Sequence, residues 1–120
     1  MTALDDNVYI LGGVVHDNDY NITTQNTVEY YRIQDETWHV AAPFPEPLNH
    51  MNAAGVDGQL FLLGGLSGGS NWTVRGQSYV YHPSNDSWTD IAPMPNGTAR
   101  GSCAVGVYDG TIYLAGGMSR

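Results

Sequence analysis

The chain has 120 residues, 42% hydrophobic and 13% charged, which suffices for a modest core and leaves too little charge for disorder through self-repulsion. Its net charge of −8 sets 12 acids against four scattered arginines (Arg32, Arg75, Arg100, Arg120) and no lysine, which argues against nucleic acid or an anionic membrane as partner. No apolar run approaches the roughly 20 residues that span a bilayer, and residues 1–6 show no basic-then-apolar leader.

Short apolar runs punctuated by Gly, Pro, Asn and Asp predict strands over 8–12, 27–33, 37–41, 51–56, 60–64, 78–82, 87–91, 102–108 and 111–115. Asp57-Gly58 and Asp109-Gly110 mark tight hairpins, because both residue types tolerate positive φ. No window carries the 3.6-residue apolar period of a helix. Val8–Leu11 and Leu60–Leu63 are apolar at successive positions, so both faces of those strands require cover. The expected core is Ile10, Tyr31, Trp38, Leu62, Tyr81, Trp88, Val105 and Leu114.

The pattern repeats. Gly12-Gly13, Gly64-Gly65 and Gly116-Gly117 lie 52 residues apart, and Tyr31/Tyr81, Trp38/Trp88, Pro43/Pro93 and Pro45/Pro95 lie 50 apart. A period near 50 marks a repeat architecture. The glycines are expected to let the chain leave each strand at angles a side chain forbids.

With Tyr9…Gly12-Gly13…Tyr31…Trp38, Phe61…Gly64-Gly65…Tyr81…Trp88 and a third copy, Tyr113…Gly116-Gly117, that stops early, the sequence resembles the kelch repeat. Pro47-Leu48-Asn49-His50, Ala92-Pro93-Met94-Pro95 and Arg100-Gly101-Ser102 look most like the small secreted kelch proteins of fungi. The resemblance implies an all-β fold, a kelch-type β-propeller fragment of about two and a half four-stranded antiparallel blades. The expected division is residues 1–41 as a blade missing its first strand, 48–91 as a complete blade, and 100–120 as the first two strands of a third. Nine strands cannot close a ring of four-stranded blades, so the remaining blades are expected from a longer parent chain.

Antiparallel order places segments 14–26 and 65–77 and the Pro-rich turns 42–50 and 92–101 on one face of the disc. Long loops on a rigid frame carry binding, so His16, Asp17, Asp19, Asn49, His50, Trp72, Arg75 and Arg100 are the binding candidates. Asn49, His50 and Arg100 fall near one another when the repeats are overlaid. They would either form a polar ring for an acidic or sugar ligand or hydrogen-bond neighbouring blades. Trp72 stands outside the repeat pattern, as an exposed contact would.

Other constellations lead less far. Asp17-Asn18-Asp19-Tyr20-Asn21 alternates oxygens, but Ile22 and Val28 stand where a twelve-residue calcium loop needs Gly and Glu. Gly65–Gly69 lacks the Lys and helix of a phosphate loop. Tyr81-His82 and Cys103 suggest the copper ligands of galactose oxidase, which also has kelch-like repeats. Yet Tyr81 matches the repeat tyrosine, and Cys103 reads as a small hydrophobe. Four sequons, Asn21, Asn71, Asn85 and Asn96, against about one by chance, point to N-glycosylation and a secreted, extracellular setting. The lone Cys103 leaves the redox compartment open. The sequence therefore reads as a non-enzymatic module without cofactor that binds a protein or glycan through one loop face. The alternative is a fragment of a copper-dependent galactose or alcohol oxidase-like propeller enzyme.

Overall fold

The computed structural model describes residues 1–119; Arg120, counted above among the arginines and in the third blade, lies outside them. Ten strands form three antiparallel sheets, and no helix occurs among the described residues. The first blade is β1 (Thr2–Leu4), β2 (Asn7–His16), β3 (Ile22–Arg32) and β4 (Thr37–Ala41). The second is β5 (Asn52–Val56), β6 (Gln59–Ser67), β7 (Thr73–His82) and β8 (Ser87–Ile91). Both are paired in sequence order, and the third sheet holds only β9 (Ala104–Tyr108) and β10 (Thr111–Ala115).

This corrects the expected blade division. The first blade has its first strand: Thr2, Ala3 and Leu4 pair with Tyr9, Val8 and Asn7. Three residues are too short to show a period-2 pattern, so the strand is silent in composition. Its turn is not. Asp5, Asp57 and Asp109 adopt φ of 50°, 49° and 48° at the 52-residue spacing, and only the first lacks the Gly that announces a tight hairpin. The expected duplication of a second strand therefore does not arise, and among the described residues the third sheet contains two strands.

The glycine pairs also act differently from expectation. The strands do not end there but run on through a register shift, between Leu11 and Gly13 and again between Leu63 and Gly65. Such a bulge lets a long hairpin arm bend. Gly12 (φ +48°) and Gly64 (φ +60°) sit at its pivot, and a Cβ on Gly12 would lie 2.5 Å from the Leu48 carbonyl oxygen. The backbone of the inter-blade connection packs directly on the bulge, and only Gly leaves room for it.

The core lies between the first two blades. Tyr9, Leu11 and Val28, with Phe44 and Leu48 from the connection, pack against Leu60, Leu62, Tyr79 and Tyr81 of the second blade. Full burial of Phe44 alone is worth roughly 1.5–3 kcal/mol. Of the expected core residues, Leu62 and Tyr81 are buried, while Trp88, Tyr31 and Leu114 are half-buried. Ile10 (39% exposed), Trp38 (59%) and Val105 (37%) are not core. Ile10 and Trp38 match Leu62 and Trp88 in the repeat, which bury against the preceding blade, and no blade precedes the first among the described residues. Val105 belongs to the two-stranded sheet, where fewer neighbours cover it.

Polar contacts clamp one blade to the next. Asp86 Oδ1 accepts hydrogen bonds from the Ala42 N–H (2.7 Å) and the Tyr81 hydroxyl (2.8 Å), and Trp88 Nε1 donates to the Ala42 carbonyl (2.8 Å). The Ala42 N–H and then Tyr81 hold the Asp86 carboxyl below its ordinary value. Burial, then the Asp86 contact, pushes the Tyr81 hydroxyl up.

Candidate binding face

The β2–β3 and β6–β7 hairpin tips and the β4–β5 and β8–β9 connections share one face of the disc. The two hairpins touch there: Thr24 Oγ1 donates to the Gly68 carbonyl, and a Cβ on Gly69 would lie 2.5 Å from the Ile22 carbonyl oxygen. Asn49, on the connection beneath them, is 1% exposed. Its Nδ2 donates to Thr24 Oγ1 (2.9 Å) and the Gly68 carbonyl (3.3 Å), and its Oδ1 accepts from His50 Nδ1 (2.7 Å). The network holds the exposed His50 ring 4.3 Å from the ring of Trp72, itself 37% exposed.

Other candidates are engaged within the chain. Asp17 Oδ1 accepts from the N–H groups of Asp19 (2.8 Å) and Asn21 (2.9 Å), and its Oδ2 accepts from Asn21 Nδ2 (2.9 Å). Those bonds, the Asn21 side chain first, hold its carboxyl below the usual range. Asp17 therefore pins the hairpin tip, while Asp19 and His16 stand exposed beside it. Arg75 donates from Nε (3.1 Å) and Nη2 (2.9 Å) to Glu46 Oε2, and the Tyr79 hydroxyl donates to Glu46 Oε1 (2.8 Å). Burial and then Glu46 push that hydroxyl up.

Arg100 donates to the carbonyls of Thr98 (2.9 Å) and Gly116 (3.0 Å), so its guanidinium ties the third blade to its connection. The overlay that set Arg100 beside His50 needs correction. The bridge Asn49↔Leu66 recurs as Gly101↔Met118, so Ser102 matches His50 and its N–H donates to the His50 carbonyl (2.7 Å). The Arg100 side chain serves backbone carbonyls, the Asn49 side chain bonds Thr24, His50 and the Gly68 carbonyl, and the His50 ring lies against Trp72.

Tyr81, His82 and Cys103 do not converge. Tyr81 meets Asp86, His82 lies between Gln59 and Thr89, and Cys103 Sγ faces the Gly116 carbonyl at 3.6 Å. Among the described residues no group of three or more His, Cys, Asp or Glu side chains is placed to hold a metal ion. Asn21, Asn71, Asn85 and Asn96 are all exposed.

Sequence reasoning missed Tyr20, 84% exposed at the tip of the first hairpin. The signal was available: Tyr20 is the one aromatic of the long segment 14–26, as Trp72 is of 65–77. Thr24, Glu46 and Tyr79, which brace the face, give no such signal.

A profile of the Kelch motif matches residues 1–45 and 47–95. The chain belongs to the kelch-repeat family. It is 41% identical over 95% of its length to the Kelch-like protein terF of Aspergillus terreus, covering 25% of that protein. It is 30% identical over 98% of its length to zebrafish Kelch repeat and BTB domain-containing protein 12, covering 19% of it. It is 31% identical over 92% of its length to zebrafish Kelch-like ECH-associated protein 1A, covering 17% of it. This kelch chain thus spans a quarter or less of each of these relatives.

Proposed function

We propose that this kelch chain is a non-enzymatic protein-binding module, part of a larger propeller, that engages its partner through the hairpin face. The observation that carries this is the supported aromatic pair: the buried Asn49 network holds the His50 ring against Trp72, and the tip of the other hairpin exposes Tyr20. A rigid, exposed Trp backed by buried hydrogen bonds is the usual anatomy of an interface anchor. The name of the zebrafish relative, an ECH-associated protein, is in keeping with protein association. The test is affinity capture by the wild type beside Trp72→Ala and Tyr20→Ala, followed by titration of the identified partner. Loss of more than tenfold in affinity with unchanged circular dichroism supports the reading. Glycan-array binding that depends on Trp72, with no protein captured, replaces it by a lectin.

We further propose that the module is secreted and glycosylated at the exposed sequons, supported by four sequons in 120 residues and by likeness to a fungal relative. Expression through a secretory host and endoglycosidase digestion tests it. A mass shift is expected, and none would place the protein elsewhere.

A further inference from the structure

The surroundings of His50 fix its tautomer. Asn49 is buried, and its Nδ2 is committed as a donor to Thr24 Oγ1 (2.9 Å) and the Gly68 carbonyl (3.3 Å). Thr24 Oγ1 directs its own proton to the same carbonyl. The Asn49 amide is thereby oriented with Oδ1 toward His50, and an amide oxygen only accepts. His50 Nδ1, 2.7 Å away, must therefore carry the proton of that bond. A neutral imidazole has one N–H, so Nε2 keeps a lone pair. Among the described residues no group donates to that nitrogen, and the residue is exposed.

The lone pair does not stand alone. The Trp72 ring lies 4.3 Å from the imidazole, inclined by 50°, and is also exposed. An indole face is electron-rich and attracts cations. Charge on the same face has the same sense. Arg75 is taken up by Glu46, and Arg100 by the Thr98 and Gly116 carbonyls. The Arg75 contact also neutralises Glu46. Asp17 and Asp19 form no ion pair among the described residues, and they sit at the tip of the hairpin that meets Gly68 through Thr24. The whole chain carries −8.

Deepening the protein-binding reading, on which it rests, we propose that the His50–Trp72 site takes an arginine side chain from a basic peptide segment of the partner. A guanidinium is planar, so it stacks on the indole while an N–H at its edge donates to His50 Nε2. A lysine ammonium is a compact point charge and lacks the stacking surface. An acidic segment would set its carboxylates against a lone pair, a π face and two aspartates. Charge complementarity thus selects the occupant.

Two measurements test the proposal. Long-range proton–nitrogen spectra of the wild type at mildly alkaline pH should show His50 protonated at Nδ1 and bare at Nε2. The opposite tautomer overturns it. Random peptides displayed on phage are then selected on the wild type and counter-selected on Trp72→Ala. Arginine should be enriched. Replacing that arginine by citrulline, a neutral isostere, should weaken the best peptide at least tenfold, a change that leaves the folded chain untouched. His50→Phe, which keeps a ring but offers no lone pair, should weaken it several-fold. Equal binding of the arginine and citrulline peptides overturns the proposal, as does full affinity for His50→Phe. Trp72-dependent peptides without arginine overturn it while leaving the protein-binding reading intact. Selection that never depends on Trp72 overturns both.

Discussion

Trp38 and Trp88 hold the same register on successive blades, each opposite a repeat tyrosine, Tyr31 and Tyr81. Trp88 is half-buried, its indole N–H on the Ala42 carbonyl and its ring against Phe44. Trp38, with the same local structure, is 59% exposed. The difference lies wholly in what stands in front of each blade.

Trp88→Ala should therefore cost about 2–4 kcal/mol, toward the lower part of the large-to-small range because the ring is half-buried. Trp38→Ala should cost less than about 1 kcal/mol, as exposed substitutions do. Urea unfolding of the two variants measures both. Equal losses would show that the Trp contributes through its own sheet and not through the blade interface.

Legibility followed the same division. Glycine pairs, tyrosines and tryptophans at fixed spacing announce the blades, because each repeat needs the same bulge and the same anchors. β1 was missed because three residues carry no period, and the Asp5 turn lacks its glycine. Ile10 and Trp38 were misread as core because the apolar pattern records what a face requires, whereas exposure depends on whether a neighbour supplies it. On the binding face, Trp72 stood out as a break in the pattern. The Asn49 and Glu46–Arg75 contacts did not, since they join loops 19 to 29 residues apart whose approach only the packed blades define.

The bulge glycines make a second prediction. Gly12→Ala forces a Cβ against the Leu48 carbonyl and the Phe44 ring while holding φ at +48°. Strain of both kinds should destabilise by roughly 2–4 kcal/mol. Gly97→Ala, at φ +78° with open space around the added carbon, carries only the backbone cost of about 1 kcal/mol. Thermal melts of the pair decide it; similar losses would mean that packing on the bulge contributes nothing.

The inter-blade clasp should be felt in the pH dependence of stability. The Asp86 carboxyl is held below its ordinary value by the Ala42 N–H and the Tyr81 hydroxyl. Its contribution is therefore complete above the unfolded value of about 4 and is lost as pH falls through the lower native one. Tyr81 is shifted upward, so its contribution is complete below about 10 and is lost as pH rises toward the native value. Asp86→Asn should lower stability at neutral pH and flatten the acid limb, measured by urea unfolding from neutral to acid pH. An acid limb as steep as that of the wild type would move the titration to another carboxylate.

The open face of the first blade leads to the last prediction. Ile10, Trp38 and Val40 lie exposed together on strands β2 and β4, and their counterparts Leu62 and Trp88 are covered by a neighbouring blade. At the other end β10 pairs only with β9 among the described residues. An uncovered apolar face and a free strand edge both promote association. The isolated chain should therefore sediment as a concentration-dependent mixture and not as a sharp monomer. Trp38→Glu with Ile10→Lys should shift that mixture toward monomer without loss of strand signal, because neither side chain supports the closed core. Sedimentation velocity over a wide concentration range is the measurement. A sharp wild-type monomer with a cooperative melt at high concentration would show that the first blade is stable with that face in water.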